Sequence, residues 1–379
     1  MMIDSLDSSR TQRTWTLTAR LLSALHLDGP LFTGLCLLAL IGMTIVFSAS
    51  GSNVAMMQSQ MLKFLLAMVA LLILAQVPPR LIMLVAPFMY IVGLVLLLVV
   101  MIKGDTAMGA QRWLDLGFIR FQPSEILKIA VPLACAWYLH DRPLPPTWLN
   151  VLIILAAIAV PAVIIAEQPD LGTALLVVAA GAMVVLLAGL RVRYMIAAGV
   201  MVAIGAFFAW QFLLHDYQKQ RVLTFLDPQN DPLGSGYHII QSQIAIGSGG
   251  AFGKGYMNGS QAQLEFLPER STDFIFAVIG EEWGLMGLIL VLLLYAFVIG
   301  RGLYMAATAQ DTFARLVTGS LSLTFAVYAL INTGMVTGLL PVVGVPLPLI
   351  SYGGTSMVTL MAGFGIVMAV NARRRLVGR

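Results

Sequence analysis

The chain has 379 residues, of which 59% are hydrophobic and only 11% charged, and its mean hydropathy is +0.90. A soluble globular domain carries about a quarter charged residues, so these proportions exclude that class and indicate an integral membrane protein. Both cysteines, Cys36 and Cys135, lie in apolar runs, and the four histidines (His26, His140, His215, His238) show no ligand spacing, which argues against a disulfide framework and a zinc site.

A hydrocarbon core of about 30 Å takes roughly 20 apolar residues per helix. With that ruler the sequence predicts an all-α polytopic membrane protein with ten transmembrane helices, at about 31–49, 57–76, 81–102, 122–139, 148–166, 170–189, 194–214, 273–300, 313–335 and 349–370. A polar segment, 1–30, precedes the first span, and a basic tail, 371–379, follows the last. "FSAS" (Phe47 to Ser50) loosely resembles a signal-peptidase site, but a long polar segment before it and nine spans after it favour a retained anchor.

Basic residues set the orientation. With a cytoplasmic N-terminus, the inside segments hold Arg10, Arg13, Arg20, Arg80, Arg142, Arg191, Arg193, Arg301, Arg315, Arg373, Arg374, Arg375 and Arg379. The outside loops after spans 1, 5 and 9 hold no Lys or Arg. Both termini are therefore expected inside, and the pI near 9.1 reads mostly as a topology signal rather than a nucleic-acid patch.

Two spans open with similar motifs. "RFQPSEILK" (Arg120 to Lys128) starts span 4, with Pro123 suited to a first turn and Glu125 suited to the positive helix end. Glu125 and Lys128 are three apart and share a helix face, either as a self-neutralising structural pair or as functional charges at membrane depth. "EQPDLGT" (Glu167 to Thr173) starts span 6, where Asp170 is expected to cap.

Between spans 7 and 8 the chain leaves the membrane for residues 215–272, a loop long enough to be ordered and functional, on the outer, periplasm-like side. Within it "YHIIQSQIAIG" (Tyr237 to Gly247) has the spacing of a short amphipathic helix at the interface. "GSGGAFGKG" (Gly247 to Gly255) is not a nucleotide loop, because Ser248 stands where the first Gly of G-x-x-x-x-G-K-[ST] belongs and Gly255 replaces the Ser/Thr. It reads either as a turn needing positive φ or as bare backbone that, with Lys254, meets an anionic group on a lipid.

"FLPERSTDFIF" (Phe266 to Phe276) puts Asp273 at the start of span 8. On spacing alone it reads as an N-terminal carboxylate on that helix. A helix from Asp273 to Gly300 would, however, be about 42 Å long, more than the bilayer needs, and Glu281 and Glu282 follow within its first turns. Asp273 is thus expected in polar space near the headgroups, where it could take a proton from a substrate hydroxyl. Spans 4, 6, 8 and 10 all begin at the outer face, and their four N-termini form a candidate phosphate receptor. "GVPLPLISYGG" (Gly344 to Gly354) before span 10 has the pattern of irregular backbone lining a cavity.

"GAQRWLDLGFIRFQPSEILK", "EQPDLGT", "GSGYHIIQSQIAIGSGGAFGKG", "LEFLPERSTDFIFAVIGEEWGLMG" and "LPVVGVPLPLISYGG" occur in this order over about residues 100–370. Together they closely resemble the SEDS family of bacterial cell-wall proteins (shape, elongation, division and sporulation), its RodA branch more than FtsW. The resemblance implies a ten-helix peptidoglycan glycosyltransferase that polymerises lipid II and releases undecaprenyl pyrophosphate. It implies Asp273 as the catalytic residue and Lys254, Arg221, Glu125, Lys128, Gln122, Arg270 and Ser351 as substrate-site residues. It further implies a divalent cation, Mg²⁺ or Mn²⁺, with unassigned ligands and no organic cofactor. Its expected partners are a class B penicillin-binding protein and other membrane proteins of the elongation complex, with no nucleic acid.

Two rival functions stay open at this level. A transporter flipping lipid-linked precursors would want charges through the midplane and inverted repeats, whereas here most span-associated charges gather at the outer ends. A non-catalytic scaffold for a penicillin-binding protein would use the large loop for docking.

Overall fold

The computed structural model describes residues 25–372 apart from 108–109, 116–119, 191, 214–218, 220–222, 226, 228–234, 265 and 268. Arg10, Arg13, Arg20, Arg191, His215, Arg221 and the tail from Arg373 onward thus lie outside the described residues. Ten helices of 17 residues or more run through it: α1 (Gly29–Ala49), α2 (Val54–Gln76), α3 (Pro79–Lys103), α4 (Pro123–Leu139), α5 (Trp148–Glu167), α6 (Leu171–Leu187), α7 (Val192–Phe208), α10 (Ile275–Ala307), α11 (Thr312–Val336) and α12 (Thr355–Ala372). Seven of these are long and apolar enough to cross a membrane by length and composition. Two smaller helices, α8 (Ser235–Gly249) and α9 (Ser260–Gln263), belong to the large loop. A three-stranded antiparallel ribbon, β1 (Asp105–Ala107), β2 (Ala110–Asp115) and β3 (Arg120–Phe121), joins α3 to α4 and adds a little strand to the all-α expectation.

Each expected span coincides with one of the ten long helices. Local caps stop and start several of them: Asp28, Asn53, Asp170 and Asp311 accept from backbone N–H groups two or three residues into their helices. Span 10 is the main boundary correction, since 349–354 is irregular and α12 begins at Thr355.

The helices pack as a bundle with two large cores and a small third cluster of Leu176, Tyr328, Ile331 and Val345. One gathers α1, α2, α10 and α12 around Leu35, Leu71, Tyr295 and Phe364. The other gathers α3 to α6 around Leu97, Leu127, Ile158 and Val184, and α11 and α12 contribute to both. The outward faces of α2 and α3 leave Leu62, Leu66, Ile73, Leu84, Phe88 and Ile91 exposed, which suits hydrocarbon contact. At the end of the bundle where α1 starts, Arg301 of α10 holds Asp28 through two nitrogens at 2.9 and 2.7 Å, and His26 meets Gln76. The start of α1 therefore lies beside the ends of α2 and α10, which run against it.

The helix after Asp273 is not continuous. Gly284 breaks α10 with φ +65 and ψ −163, a region that residues with a Cβ essentially never occupy. The glycine-rich loop fills the break: Lys254 N donates to the Glu281 carbonyl and Gly255 N to Glu282, while Leu285 N and Met286 N donate to the carbonyls of Gly250 and Ala251. Four backbone groups orphaned by the break are satisfied this way, which membrane depth demands. "GSGGAFGKG" is therefore a structural plug, with Gly250, Gly253 and Gly255 all at positive φ. Beyond the break, residues 285–307 make about 34 Å of helix, close to the bilayer core.

Candidate active site

Asp273 is not a helix cap. Phe274 occupies that position and α10 has no side-chain cap at its start. The turn carrying Asp273 is held by its main chain. Asn332 of α11, fully buried, donates through Nδ2 to the Asp273 carbonyl and to the Val345 carbonyl, both at 2.8 Å. Ser351 Oγ donates to the Thr272 carbonyl at 2.5 Å, and Tyr352 N donates to the Ser271 carbonyl at 2.8 Å. Glu269, at φ +51, closes the turn by accepting from Thr272 N and Phe274 N.

The carboxylate itself is left available. Among the described residues no donor reaches it, and Gly344, at φ +73, faces it so closely that a Cβ there would lie 3.5 Å from Oδ2. Burial first, and then the charge of Glu269, push the Asp273 carboxyl up to about 6. His238 of α8 stacks on Phe274 with centroids 5.6 Å apart, and burial lowers its pKa against the opposing pull of Glu269. A half-buried carboxylate with a raised pKa and no donor among the described residues has the properties of a general base awaiting a hydroxyl.

Other helix starts converge on this place. Val343 of the 341–349 segment packs on Gly172 at the start of α6, Val345 is tied to Asn332, and Gly344 faces Asp273. Asp170 caps α6 through Thr173 N, as expected, and also accepts from Gln122 Nε2 at 3.0 Å before α4. Arg112 of β2 donates to the carbonyls of Gln168 and Pro169. The starts of α4, α6 and α10 and the segment leading to α12 thus share one end of the bundle, where their N–H groups favour anions.

The remaining expected site residues have clear partners. Lys128 Nζ donates to Glu125 Oε1 at 2.6 Å, both buried, and lies 5.2 Å from the Tyr328 ring. Tyr328 stands one turn before Asn332 on α11, so this pair braces the helix that positions Asp273. Lys254 Nζ binds Glu281 Oε1 at 2.7 Å, and Glu281 also accepts from Gln261 N and Ala262 N at the start of α9. Arg270 donates to the carbonyls of Ala49 and Ala262, tying the loop to α1. Ser351 is buried behind the Asp273 turn, also accepting from Leu347 N.

Asn332, Glu269, His238 and Gly284 escaped the sequence reading. A buried amide inside an apolar span was the available signal for Asn332, and Glu269 sits inside the quoted motif. Asn332→Ala is expected to lower kcat by at least tenfold with little change in KM, because two carbonyls lose their donor and the base loses its anchor. Steady-state kinetics on the purified variant check this.

The family model for FtsW, RodA and SpoVE, described as "Cell cycle protein", matches residues 30–376. The chain is 50% identical over 354 residues to peptidoglycan glycosyltransferase MrdB of Escherichia coli (strain K12), covering 93% of this chain and 96% of that protein. A Helicobacter pylori protein of the same name is 40% identical over 294 residues, covering 75% of this chain and 74% of its own. Among solved structures, a chain of a peptidoglycan synthase complex, solved for its structural coordination of polymerization and crosslinking, superposes with a TM-score of 0.81 at 31% identity over 92% of this chain and 98% of that one. The rod shape determining protein RodA of Thermus thermophilus gives 0.70 at 27% identity over 92% and 97%. Whole-length similarity of this kind, together with the motifs that surround Asp273, establishes that the chain belongs to the FtsW/RodA/SpoVE family, the SEDS proteins.

Proposed function

We propose that this protein is a peptidoglycan glycosyltransferase that joins lipid II disaccharides into glycan strands during cell elongation. Half identity over nearly the full length to a protein named for that activity supports the reaction class. The observation that carries the mechanism is the Asp273 carboxylate, fixed through its main chain and met by no donor among the described residues. Asp273 takes the proton of the acceptor's N-acetylglucosamine 4-hydroxyl. That oxygen forms a bond to the anomeric carbon of the donor's N-acetylmuramic acid with inversion. The carbon–oxygen bond to the diphosphate breaks, and undecaprenyl pyrophosphate leaves with the electron pair. No soluble energy source is needed because the leaving group is already activated.

Gln122, Glu125, Lys128, Lys254, Arg270 and Ser351 support the elements around this site, the last by holding the Thr272 carbonyl, and Arg221 is the further expected substrate-site residue. Gathered helix N-termini offset the charge of the departing diphosphate. A divalent cation, Mg²⁺ or Mn²⁺, is a further reading: such ions take one or two carboxylates plus substrate phosphate oxygens, and Glu269, the acidic neighbour of the base, could supply one. When bound it would stabilise negative charge on the diphosphate.

All ten long helices cross the bacterial inner membrane, both termini are cytoplasmic, and residues 215–272 with the active site face the periplasm. The distribution of basic residues supports this orientation, as does the contact of the α1 start with the ends of α2 and α10. The partner is a class B penicillin-binding protein that cross-links the strands, a reading supported by the likeness to a synthase-complex chain. Reconstituting the purified protein with lipid II tests the function: glycan polymer and undecaprenyl pyrophosphate are expected, and their absence, with or without the partner, would favour the flippase or scaffold reading.

A further inference from the structure

α2 carries one charged residue, Lys63, in 23 residues of helix. It lies nine residues, about 14 Å, in from the start at Val54, and Gln58, Ser59 and Gln60 lead down to it. Arg112, Lys128, Lys254 and Arg301 are each matched by a carboxylate. Lys63 is not: among the described residues no carboxylate comes within ion-pair distance of it. Its ammonium sits 3.7 Å from the centre of the Tyr352 ring, and its stem lies along Gly354. The Tyr352 hydroxyl meets Ser59, and Gln60 holds the Ser351 carbonyl and Gly353 N.

This arrangement adjoins the proposed base. Tyr352 N donates to the Ser271 carbonyl, two residues before Asp273. Lys63 therefore brings a positive charge, partnered by Tyr352 but by no carboxylate among the described residues, to a membrane-facing helix beside the segment that holds the reacting carboxylate. Ionisable residues at membrane depth are candidate ligand sites, and a compact ammonium without a carboxylate suits phosphate as a point charge. We propose that Lys63, backed by Tyr352, docks the phosphate groups of a polyprenyl diphosphate that reaches the site laterally from the bilayer. The identity of the lipid rests on the polymerase reading, while the anion site rests on a charge that no carboxylate among the described residues matches.

The test uses the full-length protein in phosphatidylcholine nanodiscs, titrated with undecaprenyl pyrophosphate and read by native mass spectrometry. Lys63→Gln should weaken binding by tenfold or more, and Lys63→Arg should stay within about threefold of the unchanged protein. Lys63→Met, whose apolar side chain the bilayer accepts, guards against misfolding and should match Lys63→Gln. A purely structural cation–π contact would lower the melting temperature and spare the affinity. Unchanged affinity in Lys63→Gln and Lys63→Met overturns the proposal, and so does an equal loss of affinity for phosphatidylglycerol, which would make Lys63 a general anion anchor. Because the probe is the leaving group, binding is read without turnover. A wild-type protein that binds it yet makes no glycan would refute the polymerase reading alone.

Discussion

Asp273→Asn should abolish glycan synthesis while leaving a folded protein that is more stable than the unchanged one above pH 6. A positioned general base supplies about 10² to 10⁴-fold, so the loss in kcat should be at least 100-fold. Asparagine keeps the size of the side chain and leaves the main-chain bonds from Asn332 and Ser351 in place. The pH dependence has a definite sign. Burial and Glu269 raise the Asp273 carboxyl from 3.8 to about 6, so the folded protein binds this proton more tightly than the unfolded chain. Stability attached to this group is present below about pH 4 and is lost as pH rises to about 6. Above that, the ionised carboxylate destabilises the fold by about 1–3 kcal/mol, which Asn relieves. Activity in the unchanged protein should fall about tenfold per pH unit below 6. Melting curves and lipid II polymerisation across pH 4.5 to 8 measure both effects. Unaltered polymerisation by the Asn variant would remove Asp273 from the mechanism.

Gly284→Ala should cause a large loss of stability. Its φ of +65 with ψ −163 costs a residue with a Cβ about 1–3 kcal/mol. The added carbon would also stand 2.3 Å from Gly253 N and 2.7 Å from the Ala251 carbonyl, where main chain cannot step aside. Together these give a destabilisation of about 3–5 kcal/mol. Gly250→Ala is the matched control, since Gly250 has φ +58 and open space around its missing Cβ. It should lose only about 1–2 kcal/mol. Thermal unfolding in detergent would show a clear drop for the first and a small one for the second. Equal drops would mean that the plug is not packed as described. The same break sets the direction of the outer part of α10, which begins beside Asp273, so Gly284→Ala should also lose activity in whatever fraction folds.

The ten long helices were legible because a bilayer of fixed thickness demands contiguous apolar length, a one-dimensional property. Asp170 as a cap was legible for a similar reason, since its acceptor group and donor are three residues apart. Asp273 was marked by its motif and by its place at the edge of the apolar run. Its position outside the helix, with no donor to its carboxylate among the described residues, was decided by main-chain contacts spanning 59 and 79 residues of sequence. The glycine-rich run shows the same limit: its composition announced positive φ, but only the packed fold placed those glycines into a gap in α10, some thirty residues later. Lys63 stood in plain view as a lone charge in an apolar helix, yet its meaning came from Tyr352, almost 300 residues on. The sequence by itself determined which segments must lie in hydrocarbon, because that depends on length and polarity along the chain. The tertiary structure decided which polar groups remain unsatisfied, because satisfaction depends on neighbours the chain brings together from far apart.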